Sequence, residues 1–351
     1  MKTLTRLFFG YGLLLSVAGL TGCGSGPIEE TTESLTETAE GESSTSLRNR
    51  IVGTWELARV ELRDSSGEEI PAPAAPAFGA PGAIGQAVFD EAGHIGVAIM
   101  QQNRTRGDEL TPDEALEDLE AYRGFFGTYV VDENDGVMTV DFQGNRDPGL
   151  TGTSATNRVS VSGDELTVDV SQDPTEVQTS LVWNRLPDLE VLSDAHRRVV
   201  GFWHHVPNEG DTVSEPPLRP GNIIYTAAGR MMVHLMDPVR ETYAGEQPTG
   251  DEALATVNSY TSYFGPVTVE EAGRYFIHHR IGHTIDLTDR PKSERRTGLD
   301  TDAQRFYEFV DGGAYSGDRM VLRFLSTAGI NPPPVSEDAE WGGMITWERL
   351  R

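Results

Sequence analysis

The two halves of this 351-residue chain carry the same short motifs in the same order. Residues 111–127 align without a gap with residues 249–265 and are identical at eight of the 17 positions. Each half also opens with Gly-x-Trp and closes with Trp-x-Arg-Leu, at 53–55 and 183–186 and again at 201–203 and 347–350. This agreement indicates an internal duplication, so one architecture must suit both halves.

The duplication predicts the domain organisation. We expect one domain over residues 49–187 and a second over residues 194–351. Ahead of them we expect a signal peptide over residues 1–22 and an acidic tether over residues 23–48. The tether is rich in Glu, Thr and Ser and has almost nothing apolar to bury, which predicts disorder.

Each half has the pattern of a β-rich domain. Short runs of Val, Ile, Thr and aromatic residues are separated by Gly, Asp and Asn, which predicts seven to nine strands per half. One helix interrupts each set, since Thr111 and Glu114 form a capping-box pattern that Thr249 and Glu252 repeat. The predicted fold class is mostly β, with two tandem antiparallel β-barrels that each include one short helix.

The first residues have the pattern of an export signal. Lys2 and Arg6 precede an uncharged stretch over residues 7–20, which is too short to span a bilayer as a helix. Leu20-Thr21-Gly22-Cys23 then resembles the lipobox of a bacterial lipoprotein. That resemblance implies cleavage before Cys23 and acylation of its thiol, which would anchor the chain to a membrane of the cell envelope.

One alternative to the lipoprotein signal stays open for this segment. The chain could instead carry an ordinary secretory signal, in which the position of Cys23 is a coincidence. If it is a lipoprotein, the Gly24 that follows the cysteine resembles the pattern for the outer membrane of a Gram-negative cell.

Charge and composition exclude several functions. The formal net charge of −27 argues against a nucleic-acid partner, because phosphate binding needs clustered Lys and Arg. The single cysteine excludes an intramolecular disulfide framework and a Cys-rich zinc site. The sequence contains no Gly-x-Ser-x-Gly motif, no phosphate-binding glycine loop and no dinucleotide fingerprint. We therefore expect no cofactor, and the lack of HxH or HExxH spacing argues against a metal.

A family resemblance covers most of residues 50–351. It is carried by Gly-x-Trp at the start of each half, Trp-x-Arg at the end, and several motifs between them, namely Phe78-Gly79, Pro81-Gly82, Gly93-His94 and Phe126-Gly127-x-Tyr129. This series is similar to the lipocalin-like domain family of bacteria and fungi. The resemblance implies a small barrel with an internal cavity and leaves the ligand open.

The candidate site residues lie in the second half. The family pattern implies a His-His pair that His278 and His279 match, where the first half has Val140 and Asp141. Because neighbours on a strand face opposite sides, only one histidine of the pair can enter the barrel, and the same holds for His204 and His205.

Three further residues complete the predicted ligand site. His234 is expected to point inward, because Met232 and Met236 make its side of the strand apolar. The family also implies an arginine on a later strand, which Arg158 and Arg305 could match, and Arg305 shares a face with Tyr307. Inward His, Arg and Tyr side chains could hold a carboxylate or enolate oxygen of a hydrophobic ligand.

Three functions remain open. The leading hypothesis is a membrane-tethered protein that binds a small hydrophobic molecule in the second barrel through His234, His278, Arg305 and Tyr307. The second is a cofactor-free cyclase, isomerase or hydratase, in which His234, His278 or His279 transfers protons and Arg305 stabilises charge. The third is a structural or interaction lipoprotein whose barrels are filled with side chains.

Overall fold

A computed structural model gives the architecture of the chain. It describes residues 46–70, 82–102, 110–170, 177–208, 218–284, 302–310, 318–325 and 341–351. The predicted signal peptide, Cys23 and the tether as far as residue 45 lie outside these residues. Among the helices described, none combines the length and apolar character needed to cross a membrane.

The first half forms a closed barrel in which each strand pairs antiparallel with the next and the last pairs with the first. Its strands are β1 (Gly53–Arg63), β2 (Ala83–Phe89), β3 (His94–Gln101), β4 (Tyr122–Asp132), β5 (Val137–Asn145), β6 (Ser154–Ser162), β7 (Glu165–Asp169) and β8 (Gln178–Leu186). Alternation sets the inner face: Val159 and Val161 are buried, whereas the alternating residues Arg158 and Ser160 are exposed.

The second half forms a barrel of the same design, which the pairing of β11 with β12 closes. Its strands are β9 (Gly201–Val206), β10 (Gly221–Tyr225), β11 (Arg230–Met236), β12 (Tyr260–Glu270), β13 (Tyr275–His278), β14 (Gly282–His283), β15 (Ala303–Val310), β16 (Arg319–Leu325) and β17 (Trp341–Arg349). Both β13 and β14 pair with β12, so together they occupy the place that β5 has beside β4 in the first barrel. The prediction of two tandem antiparallel barrels is confirmed.

The predicted helices are present, one further α-helix precedes each barrel, and a 3-10 helix (Pro148–Leu150) follows β5. The two predicted helices are α2 (Pro112–Ala121) and α4 (Gly250–Asn258), and both begin with the predicted capping box. The additional helices are α1 (Leu47–Ile51) and α3 (Asp194–Val199), which precede the first strand of each barrel. Helices of five and six residues are too short to show a helical period in the sequence.

The motifs at the two ends of each half meet in space, because the first and last strands of each barrel are neighbours. In the second barrel, Trp203 is buried and its indole N–H donates to the carbonyl of Val199 at 2.7 Å. The guanidinium of Arg349 stacks on the Trp203 ring at 4.2 Å. A Cβ at Gly201 would lie 2.7 Å from that guanidinium, which explains the glycine of Gly-x-Trp. Trp55, Arg185 and Gly53 repeat the arrangement in the first barrel.

The outer faces of the two barrels pack against each other. Eight buried residues form one apolar cluster across this interface: Val88, Ala98, Met100, Tyr122, Phe202, Ile224, Met232 and Phe264. Beside it, α2 packs on α4 through Ala115, Ala253 and Val257. Residues 45–351 accordingly form one compact unit that includes both barrels.

Candidate functional site in the second barrel

The His278-His279 pair divides between the two faces of its strand. His278 is fully buried and its ring lies beside Tyr225, Tyr263 and Phe276, three residues of the barrel core. His279 is only partly buried and faces the other way, with Nε2 2.9 Å from the Thr268 hydroxyl. One histidine of the pair therefore enters the barrel, as expected, and it is His278.

Two tyrosines hold the imidazole of His278. The Tyr225 hydroxyl lies 2.9 Å from Nε2, and the Tyr263 hydroxyl lies 3.2 Å from Nδ1. Burial lowers the pKa of His278 well below its ordinary value, and the nearby positive charge of Arg305 adds to this. His278 is therefore a neutral imidazole at physiological pH, with both nitrogens in hydrogen bonds.

Arg305 and Tyr307 lie on the same inner face. Arg305 is opposite Phe276 in the β13–β15 register, and its guanidinium is 5.3 Å from the centre of the Phe324 ring. The Tyr307 ring stacks on Phe276 at 4.4 Å. The inner wall of the second barrel thus combines stacked aromatic rings with a cation and a hydrogen-bonded histidine.

Among its described residues, the first barrel has no counterpart of this polar cluster. The aligned strands and their registers place Phe89, Phe125 and Val140 where the second barrel has Tyr225, Tyr263 and His278. Asn157 is opposite Met138 in the register, as Arg305 is opposite Phe276. The two barrels share a backbone design, but only the second places a histidine, an arginine and two tyrosine hydroxyls in its core.

Tyr225 and Tyr263 were missed in the sequence analysis. A comparison of the repeats could have found them. Tyr225 stands where the first repeat has Phe89, and Tyr263 stands where it has Phe125, so the second repeat has an added hydroxyl at both core positions. Arg158 was also assigned wrongly: it lies one position beyond Asn157 and is exposed, so only Arg305 belongs to the inner face.

The prediction that His234 points into the second barrel is wrong. Its strand neighbours Val233 and Leu235 belong to the barrel core, so His234 faces the opposite side. There its ring packs 5.7 Å from Phe126 of the first barrel. The face bearing Met232 and Met236 is apolar because the other barrel covers it, a cause that the sequence of one strand does not reveal.

His204 and His205 also face opposite sides, as expected. His205 follows the side of Trp203: its ring lies 5.4 Å from Trp347 and Nδ1 is 2.7 Å from the carbonyl oxygen of Arg219. His204 is opposite Asn222 on the outer face. Within the part of the chain that the structure describes, neither histidine contacts the cluster around His278.

The described residues contain no group of three or more His, Cys, Asp or Glu side chains arranged to hold a metal ion. His279 has a carboxylate neighbour in Asp302, 2.9 Å from its Nδ1, but this pair lies on the outer side of the barrel. The chemistry available inside the second barrel is therefore hydrogen bonding, positive charge and aromatic stacking.

Comparison with known proteins gives the following matches. Among solved structures, an uncharacterised protein from Bacteroides eggerthii is 14% identical, with 38% of this chain and 98% of that chain covered and a TM-score of 0.22. A candidate outer membrane protein from Bacteroides fragilis is 12% identical, with 87% of this chain and all of that chain covered and a TM-score of 0.18. No curated protein matches the chain.

The family assignment comes from a family model. The model of the lipocalin-like domain matches residues 52–186 and residues 202–349. The two matches cover more than half of the chain and coincide with the two barrels of the structure. The chain therefore belongs to the lipocalin-like domain family, of which it contains two tandem copies.

Proposed function

We propose that the chain binds a small hydrophobic ligand inside its second barrel. One observation carries this proposal: the core of that barrel holds His278, Tyr225, Tyr263 and Arg305, where the first barrel has only apolar residues and an asparagine. Burying polar groups in a barrel core costs free energy unless they are hydrogen-bonded, and barrel closure alone does not require them, since the first barrel closes with Phe89, Phe125 and Val140. A few converging polar groups in an aromatic wall are typical of a site that orients an apolar ligand.

The contacts of His278 support binding rather than acid–base catalysis. A general base needs a free lone pair within reach of the substrate, but both nitrogens of His278 already contact tyrosine hydroxyls. Because its pKa is lowered, His278 is neutral near pH 7 and cannot act there as an imidazolium acid. Of the other two catalytic candidates, His279 faces outward and His234 lies between the barrels.

Native mass spectrometry of the full chain from its own host tests this proposal. We expect one bound hydrophobic molecule per chain. At three positions, the triple variant Tyr225→Phe, Tyr263→Phe, His278→Val gives the second barrel the residues that the first barrel has there. We expect it to fold, since the first barrel accommodates that set, and to lose at least about 90% of the bound molecule, because each lost hydrogen bond weakens binding several-fold.

The matched control is Val140→Ile in the first barrel, which should keep the bound molecule. An empty wild-type chain that also takes up no hydrophobic fluorophore would overturn the proposal and leave the filled-barrel, interaction-protein hypothesis. Full retention of the molecule by the triple variant would place the ligand elsewhere.

We further propose that the chain is a lipoprotein tethered to the cell envelope through Cys23. The uncharged stretch before Cys23 and the acidic segment after it support this proposal, because they provide an export signal and a flexible spacer. Several acyl chains on one residue would anchor the protein stably, whereas a single chain would bind a membrane only marginally.

Metabolic labelling with an alkyne-tagged fatty acid tests the anchor. The wild-type chain should take up the label and sediment with membranes. Cys23→Ser should lose the label completely, because the chain has no other cysteine. The neighbouring Ser25→Ala is the control and should be labelled normally. A labelled Cys23→Ser variant would contradict the proposed attachment site.

A further inference from the structure

Among the described residues, the guanidinium of Arg305 has no carboxylate partner. Its guanidinium donates to the backbone carbonyl of Gln304 at 2.9 Å and lies over the Phe324 ring. In the part of the chain that the structure describes, no Asp or Glu oxygen lies within ion-pair distance of it. The chain has 55 acidic residues for 28 basic ones. The lack of a carboxylate beside Arg305 among the described residues therefore does not reflect a shortage of acidic residues in the sequence.

The hydrogen bonds around His278 leave one phenolic proton unused. A neutral imidazole has one N–H and one lone pair, so it donates to one tyrosine oxygen and accepts from the other tyrosine. The tyrosine that accepts from His278 still has its own O–H. Neither Tyr225 nor Tyr263 has another hydrogen-bond partner among the described residues. Whichever tautomer is present, one tyrosine of the cluster keeps an O–H that can donate to a ligand.

Arg305 is placed to act together with this donor. Ala303 is opposite His278 in the register and Arg305 is two residues further along the same face, a diagonal separation of about 7–8 Å between Cβ atoms. A guanidinium side chain spans that distance readily. The charge of Arg305 is felt at both His278 and Tyr225, which is consistent with this proximity.

We propose that the ligand of the second barrel carries an anionic oxygen, as in a carboxylate or an enolate, which binds the Arg305 guanidinium and the spare tyrosine hydroxyl. This inference rests on the proposed binding function and specifies the chemical class of the ligand. The positive charge of Arg305 favours a ligand whose end group is anionic over one whose end group carries no charge. Asn157 gives the first barrel no such charge.

Decanoate and 1-decanol form a suitable pair of probes, because they share one alkyl chain and differ only in the end group. We expect the full chain to bind decanoate about 10-fold more tightly than 1-decanol at pH 7.5 by isothermal titration calorimetry, the usual strength of a charge-assisted hydrogen bond. Arg305→Gln should reduce the preference to about two-fold or less by weakening decanoate binding, and Arg305→Lys should retain part of it.

The control is Asn157→Ala, which should leave both affinities unchanged. Equal binding of the two probes to the wild-type chain would overturn the inference and leave the hydrophobic-ligand function intact. Binding of neither probe, together with a chain that is empty from its host, would overturn both. The comparison on the wild-type chain does not depend on the folding of any variant.

Discussion

Arg146→Met should lower the free energy of unfolding by about 3–5 kcal/mol, the usual effect of removing one partner of a buried ion pair. Arg146 follows β5 and donates to a carboxylate oxygen of Asp118 in α2, and both side chains are only 2% exposed. Arg146 also donates to the backbone carbonyls of Asp118 and Tyr122 at 3.1 and 3.2 Å. The substitution therefore removes the guanidinium from a buried negative charge and takes one donor away from two backbone carbonyls.

The effect should extend to the interface between the barrels. Arg240 of the second repeat donates to the carbonyls of Asn145 and Arg146, and the Tyr122 hydroxyl lies 2.8 Å from that of Ser262. The ion pair thus fixes the end of α2 and the turn after β5, to which the second barrel is attached. Chemical denaturation followed by tryptophan fluorescence gives the change in unfolding free energy.

The repeat provides a matched control for the ion pair. Thr284 occupies the position of Arg146, and its hydroxyl donates to the Tyr260 carbonyl at 3.2 Å in place of the guanidinium. The Thr284 hydroxyl also accepts from the backbone N–H of Ser262 at 2.8 Å. Thr284→Val should reduce the free energy of unfolding by about 2 kcal/mol, as for two neutral hydrogen bonds. The double variant Asp118→Leu, Arg146→Met should be more stable than Arg146→Met alone, because the uncompensated charge is gone. Equal stability of the two would contradict the argument.

The fold was predictable because the same signals occur twice. Eight short β-patterns and the capping boxes at Thr111 and Thr249 recur in order, and local hydrogen bonding determines both features. The short helices α1 and α3 could not be predicted in this way. Each begins at a serine N-cap, Ser46 or Ser193, and its last turn accepts a hydrogen bond from the buried indole N–H of Trp55 or Trp203, a contact that depends on barrel closure.

The candidate site was predictable only in part. Alternation correctly placed one member of the His278-His279 pair inside, since the strand there has a solvent-facing side. It failed for His234, because β11 is buried on both faces: its Val233 side packs in the barrel core and its Met232 side packs on the first barrel. A strand covered on both sides has no polar face, so the sequence alone cannot orient it.

The comparison of the two repeats separates structural from functional positions. Trp55, Trp183, Trp203 and Trp347 occupy equivalent places and are all buried, so they are required by barrel closure itself. Positions that differ in polarity while remaining in the core, such as Val140 and His278, are not explained by closure. This difference supports the proposed ligand site in the second barrel, while the first barrel covers one side of its partner.

Acidification from pH 7 to pH 5 should lower the free energy of unfolding by about 2 kcal/mol through His234 alone. His234 is fully buried between the barrels, with Nδ1 2.8 Å from the Tyr260 hydroxyl and 3.1 Å from that of Ser262. Burial lowers its pKa from 6.5 to about 3. Above pH 6.5 both the folded and the unfolded chain hold a neutral imidazole, so the stabilisation is complete. Below pH 6.5 the imidazole of the unfolded chain becomes protonated, whereas that of the folded chain stays neutral down to about pH 3. Each unit of pH in this range therefore lowers the free energy of unfolding by about 1.4 kcal/mol.

The variant His234→Gln isolates this contribution, because a glutamine retains a hydrogen-bonding group but does not titrate. Its unfolding free energy should fall by about 2 kcal/mol less than that of the wild type between the two pH values, while the carboxylates and His278 contribute equally to both proteins. Asn222→Ser, opposite His234 in the register, is the non-titrating control and should shift stability by the same amount at both pH values. If His234→Gln and the wild-type chain lost the same stability, the imidazole would have to be accessible to protons in the folded state, and the interface between the barrels would have to open below pH 6.5.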